Sequence, residues 1–151
     1  MISIHPVNAS QAGELSRIAY AAKAHWDYPE RWMELWRPQL TFRGDYFDQN
    51  ESWVALDGTE PVAFYTLQDK NGKAWLENLW VLPDYMGKGV GAALFRHAVD
   101  LARQRGYKKL QLEADPNAAG FYRKMGMREI GERRYELEGQ WRILPIMELE
   151  L

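Results

Sequence analysis

The chain has 151 residues, 46% of them hydrophobic and 26% charged, with 19 basic against 21 acidic side chains and no cysteine. That length and hydrophobicity build a core without staples, and they exclude a disordered chain. A formal charge of −2 excludes a basic field over the whole surface, and zero cysteines exclude disulfide scaffolds, Cys-ligated metals and a thiol nucleophile. One domain over residues 1–151 is expected, in a reducing compartment. No apolar run approaches the roughly 20 residues that cross a bilayer. Met1-Ile-Ser-Ile-His-Pro6 has neither the basic flank nor the apolar stretch of a signal peptide. The expectation is a cytoplasmic protein with no nucleic-acid or membrane partner.

Alternation over Ile2–Val7 predicts a strand. Ser10 is the expected cap of a helix whose Leu15, Ile18, Ala19 and Ala22 share a face as far as Ala24. Pro29 fits the first turn of a second helix through Trp36, which Pro38 stops. A short helix is expected between Arg43 and Asn50. Ser52–Leu56 and Pro61–Leu67 read as strands joined at Asp57-Gly58, and Asn71-Gly72 signals a second hairpin into a strand over Ala74–Leu82. After Gly89 the period changes: Val90, Leu94, Ala98 and Leu101 lie on one helical face, and Gly106 ends the helix. Lys108–Glu113 is the next strand, Asn117 the expected cap of a short helix through Lys124, and Met127–Leu137 and Arg142–Leu151 the closing strands. A single β-α-β crossover within an otherwise antiparallel set demands one parallel pair. The fold class is α+β, a mixed, mostly antiparallel sheet of about six or seven strands with about four helices.

Val81-Leu-Pro-Asp-Tyr-Met-Gly-Lys-Gly-Val-Gly-Ala92 carries the strongest chemical signal. Gly87, Gly89 and Gly91 allow a tight turn whose N–H groups join those of the following helix, where the helix dipole favours an anion. They look like a backbone cradle for pyrophosphate, the alternative being a glycine-rich connection with no ligand. No GxxxxGK[ST] is present, which excludes a P-loop. Gly87, Gly89 and Ala92 match a loose dinucleotide fingerprint with Glu113 downstream, but five residues separate Val81 from Gly87 and the repeated β-α-β units are missing.

Val81, Pro83, Tyr85, Gly87, Gly89 and Gly91 resemble the most specific motif of the GNAT superfamily of acyl-CoA-dependent N-acetyltransferases. Asn117-Ala-Ala-Gly-Phe-Tyr-Arg-Lys-Met-Gly-Met127 is similar to its second motif, and the resemblance covers nearly the whole chain. Met86 departs from the usual Gln or Arg, and Met127 from the usual Phe. The resemblance implies a GNAT-like fold whose parallel pair splays apart, with acetyl-CoA as co-substrate and no metal. It implies pantetheine along Leu79, Trp80 and Val81, pyrophosphate on Gly87, Lys88, Gly89, Val90, Gly91 and Ala92, and Asn117 on the opposite wall. Lys88, Arg123 and Lys124 are available to the outer phosphate or are solvated surface.

Acetyl transfer from a thioester to an amine needs a neutral amine, a stabilised oxyanion and a protonated leaving thiolate. Without cysteine, direct attack in a ternary complex is expected. The oxyanion donor is a backbone N–H near Trp80 or Val81. Tyr122 matches the family's general acid. Glu77 is the candidate base by its place on the strand before Val81; Glu113 and ordered water are alternatives.

Residues 26–47 hold seven aromatic rings, including Trp26 and Tyr28, against a chain average of 13%. They form either an acceptor wall for an apolar or cationic body or the packing of two short helices. His25 and His97 read as structural, and no cluster has metal-ligand spacing. The functional reading is an N-acetyltransferase acting on a primary amine of a small molecule or an exposed peptide amino group; a dimer through the C-terminal strands is common in the family it resembles, and the oligomeric state is left open. The rival is a CoA-binding sensor or interaction module without turnover.

Overall fold

In the computed structural model, which describes residues 1–151, the strands are β1 (Ile2–Pro6), β2 (Ser52–Asp57), β3 (Glu60–Lys70), β4 (Lys73–Val81), β5 (Lys109–Glu113), β6 (Arg128–Leu137) and β7 (Gln140–Glu150). The helices are α1 (Ala12–Ala24), α2 (Glu30–Trp36), α3 (Gly44–Gln49), α4 (Val90–Gln104) and α5 (Ala119–Lys124). The sheet runs β1-β2-β3-β4-β5-β7-β6, and its one parallel pair is β4 with β5, Ala74 opposite Leu110 and Trp75 opposite Gln111. The α+β class, the strand count and the parallel pair are as expected. The helix count exceeds the expected four because the one-and-a-half turns of α3 form a helix of their own.

The chain forms two compact units, Met1–Leu67 with Asn78–Arg96, and Gln68–Glu77 with His97–Leu151. In the first, β1 and β3 flank β2 in antiparallel register, with a bulge at Ala55/Leu56. Seven consecutive residues of β3, Pro61–Leu67, are buried, as befits a strand covered on both faces. Leu15, Ile18, Ala19 and Ala22 of α1 are at most 3% exposed, so the helical stripe in the sequence is the stripe in the core.

Two local expectations in this unit are corrected. Asn8, rather than Ser10, is the cap: its Oδ1 accepts from Ser10 N–H at 2.9 Å, while Gln11 Oε1 accepts from Asn8 N–H at 2.8 Å. This reciprocal box closes a 3-10 turn, Ala9–Gln11, from which α1 continues, so the cap lies two residues earlier than Ser10. Pro29 precedes α2 instead of entering it, and the chain beyond Trp36 tightens into a 3-10 turn, Arg37–Leu40, that contains Pro38. A 3-10 turn accommodates the missing proline donor at its start, so Pro38 narrows the helix without ending the helical path.

In the second unit, β5 pairs antiparallel with β7 and β7 with β6, the latter an exposed edge strand. Asn71 and Gly72 both adopt positive φ, 56° and 79°, as a two-residue hairpin turn requires. Asn117 does not cap α5. Its backbone N–H and its Nδ2 both donate to Asp115 Oδ1, at 2.9 and 3.0 Å, and Ala118 takes the cap position with no side-chain bond. The acceptor two residues upstream forms an Asx turn that competes with the cap.

Candidate active site

In the first unit, Leu82 N–H donates to Val62 O at 2.9 Å where β4 ends, and Pro83–Tyr85 make one 3-10 turn. Met86 is extended, Gly87 and Gly89 adopt φ of 74° and 84°, and α4 begins at Val90. A Cβ on either glycine would meet nothing within 4 Å, so the backbone conformation, not crowding, is what selects glycine here. Gly87, Lys88 and Gly89 are exposed, and Ala93 N–H makes the first helical bond, to Gly89 O at 3.0 Å. The N–H groups of Val90, Gly91 and Ala92 are thus first-turn donors at the positive end of a 15-residue helix. Open space before an exposed turn with free main-chain donors fits a pyrophosphate.

Tyr85 steadies this turn from outside. Its hydroxyl donates to Asp57 Oδ2 at 2.6 Å, across 28 residues of sequence. The Asp57 carboxylate pushes the Tyr85 hydroxyl up to about 12. In return, the Tyr85 hydrogen bond and then the N-terminal ammonium at 3.4 Å lower the carboxyl of Asp57. Lys88 Nζ lies 5.7 Å from the centre of the Tyr85 ring.

Leu79, Trp80 and Val81 are half-buried beside Asn78, which is 8% exposed. Asn78 Nδ2 donates to the Tyr46 hydroxyl at 2.9 Å and to Thr66 Oγ1 at 3.1 Å, while Asn78 Oδ1 accepts from Trp80 Nε1 at 3.0 Å. Ser52 Oγ meets Thr66 Oγ1 at 2.8 Å, so the buried polar chain is closed at both ends. Sequence reasoning gave Asn78 no role; it fixes the Trp80 ring and ties β4 to β3 and α3.

The rings of residues 26–47 divide. Trp32, Trp36 and Phe47 are core, at 9%, 6% and 8% exposure, whereas Trp26 is 37% exposed against the edge of His25. Tyr28 stands at a right angle to Trp36, ring centres 4.9 Å apart, with Lys23 Nζ over both rings. Packing therefore accounts for most of this aromatic run, and Trp26 and Tyr28 are left at its accessible edge.

In the second unit, Glu77 is exposed on β4. Its Oε2 accepts from Trp75 Nε1 at 2.7 Å and from Lys70 Nζ at 3.4 Å. Glu113 is held by both arms of Arg133, each at 2.8 Å, and that carboxylate raises the guanidinium pKa. A bidentate pair of this kind makes Glu113 a brace for β6, while Glu77 is held by Trp75 and Lys70. Tyr122 is 8% exposed, edge-on to Phe121 with ring centres 5.2 Å apart. Burial first, and then the Asp115 carboxylate, raise its hydroxyl well above the ordinary phenol range, so it keeps its proton at working pH. Arg123 and Lys124 are exposed on α5. No group of three or more His, Asp or Glu side chains is placed to hold a metal, and no helix is long and apolar enough to cross a membrane.

Residues 17–127 match the family model described as Acetyltransferase (GNAT) family. The chain is 33% identical over 106 residues to the peptidyl-lysine N-acetyltransferase YjaB of Salmonella typhimurium, covering 70% of this chain and 68% of the relative. It is 36% identical over 99 residues to the [ribosomal protein bS18]-alanine N-acetyltransferase of Escherichia coli K12, covering 64% of this chain and 67% of the relative. A crystal structure of a GCN5-related N-acetyltransferase from Rhodopseudomonas palustris superposes with a TM-score of 0.83 at 26% identity, over 99% of this chain and 95% of that one. The chain belongs to the acetyltransferase (GNAT) family and is an N-acetyltransferase that takes its acetyl group from acetyl-CoA.

Proposed function

We propose that residues 1–151 act as one cytoplasmic domain that acetylates an exposed amino group of a polypeptide by direct attack within a ternary complex. The relatives named for peptidyl-lysine and for a ribosomal-protein alanine support this class of acceptor. In this reading the amine nitrogen attacks the thioester carbonyl, a C–N bond forms and the C–S bond breaks. Glu77, directly or through water, takes the amine proton, and Tyr122 gives its proton to the departing thiolate. A backbone N–H at Trp80 or Val81 meets the oxyanion. Gly87, Gly89, Val90, Gly91 and Ala92 receive the pyrophosphate, with Lys88 and Lys124 as its cations. Leu79 and Asn117 flank the pantetheine, and Trp26 and Tyr28 border the acceptor.

The observation that carries the donor half of this reading is the exposed turn at Gly87 and Gly89, both at positive φ, opening α4. Thiol release from acetyl-CoA is the test, with lysine peptides, alanine-terminated peptides and small polyamines as acceptors. Peptides are expected to turn over fastest. Turnover of the small amines alone would overturn the acceptor class, and binding of acetyl-CoA without any release would make the protein a sensor. The exposed edge strand β6 supports a homodimer through the C-terminal strands, which light scattering checks.

A further inference from the structure

In the first unit, α1 and the 3-10 turn Arg37–Leu40 border a cavity of about 220 Å³ that is open to solvent on one side. Arg17, Tyr20 and Ala21 reach it from one face of α1, and Leu40, 6% exposed, lies beside them. Arg37 stacks on Tyr20, its guanidinium carbon 4.4 Å from the ring centre, and donates through Nη2 to the Tyr20 hydroxyl at 3.2 Å. This contact fixes the plane of the guanidinium. The other hydroxyls at the cavity are engaged with backbone: Thr41 Oγ1 donates to Arg37 O, and Ser16 Oγ donates to Ala12 O and accepts from Phe42 N–H.

Two of the guanidinium groups here have no carboxylate partner. Arg43, Arg103, Arg128, Arg133, Arg134 and Arg142 each pair with an aspartate or glutamate. Arg17 and Arg37 pair with none, although Glu14 and Glu34 each stand three residues before them, a spacing at which helical ion pairs form. Two uncompensated guanidinium groups thus face one cavity in a protein whose formal charge is −2.

We propose that this cavity binds a small carboxylate with an apolar body. Guanidinium forks match a carboxylate in shape as well as charge, and the Tyr20 ring, Ala21 and Leu40 suit a compact hydrocarbon. At roughly 30 Å³ per water, the volume corresponds to about seven waters, which admits a ligand the size of benzoate. The site is independent of the acetyl-transfer assignments above.

The test is an amide-shift titration of ¹⁵N-labelled protein at constant ionic strength with sodium benzoate, inorganic phosphate and cyclohexylammonium chloride. Benzoate should shift residues 16–21 and 37–41 saturably, and cyclohexylammonium should not. Phosphate, which carries the charge without the apolar body, should bind about tenfold or more weaker. Arg17 is exposed and its side chain makes no hydrogen bond, so Arg17→Gln leaves the fold intact and should weaken benzoate by about tenfold or more. Arg37→Lys keeps the charge but loses the fork and the stack, and should weaken it as well. Benzoate affinity unchanged in Arg17→Gln would overturn the proposal. So would phosphate binding as tightly as benzoate, or shifts that never saturate.

Discussion

The glycine turn after β4 and the segment from Asp115 to Lys124 each carry one tyrosine whose hydroxyl is harder to ionise than a free phenol, for opposite reasons. Tyr85 is raised by a carboxylate that accepts its proton in a hydrogen bond, and Tyr122 by the loss of water around it. The first hydroxyl donates to Asp57 and braces the glycine turn. The second is held protonated by its surroundings, the condition a proton donor needs. In the proposed reading, binding is a property of backbone, which tolerates most side-chain changes nearby, while the proton chemistry is assigned to single atoms. Removing those atoms one by one separates the two regions.

The largest effect is expected at the cradle. Gly89→Glu places an anion where the main-chain donors should meet pyrophosphate, and like charge at that range costs several kcal/mol, or about three decades of acetyl-CoA affinity. Because Gly89 has a φ of 84°, any side chain there also strains the backbone. Gly89→Ala measures that strain alone and should lose far less affinity. Calorimetric titration with acetyl-CoA checks both; equal losses would mean that conformation, not charge, governs the turn.

Next come the two side chains assigned to chemistry. Glu77→Gln should lower turnover by roughly 10²–10⁴ and flatten the acidic limb of the rate profile, with acetyl-CoA affinity retained. An unchanged profile would shift the role to Glu113, which Arg133 holds, or to ordered water. Tyr122→Phe keeps the ring beside Phe121 and should lower turnover by about 10²-fold, again without a change in acetyl-CoA affinity. The defect should shrink with an acyl donor whose leaving thiol is more acidic. Burial raises this hydroxyl, so the parent enzyme should not lose its acid until the pH is well above the ordinary phenol value. An alkaline loss of rate near neutrality would belong to another group.

What could be read beforehand was local. Asn71-Gly72, Gly106 and the stripe Val90, Leu94, Ala98 and Leu101 declare themselves within a few residues, and glycine at 87 and 89 permits the positive φ that both adopt. The misplaced caps were local too, but at Asn8 and Asp115 two adjacent polar residues competed and the spacing did not decide between them. The long-range partners left no trace in the sequence. Asp57 looks like a hairpin residue until the fold brings Tyr85 to it, and Asn78 looks idle until Thr66, Tyr46 and Trp80 surround it. Glu113 gives no sign of its ion pair until β6 brings Arg133, 20 residues away, to it.

The smallest effect should come from Tyr85→Phe, the same chemical change as Tyr122→Phe at the other tyrosine. Turnover and acetyl-CoA affinity should stay within a few-fold of the parent, because the lost hydroxyl touches Asp57 and not the main-chain donors. The signature lies in stability against pH. The folded-state value of Tyr85 is raised from 10.0 to about 12, so its contribution is complete below pH 10 and disappears as pH rises through about 12. Asp57 is lowered from 3.8, so its contribution is complete above that value and disappears as pH falls through the depressed folded-state value. Thermal unfolding of Tyr85→Phe should therefore lose the alkaline step between pH 10 and 12 and keep a reduced acidic step, since the N-terminal ammonium still faces Asp57 at 3.4 Å. An alkaline step of parental size would show that the hydrogen bond does not brace the turn. A turnover loss matching that of Tyr122→Phe would erase the distinction between the two tyrosines.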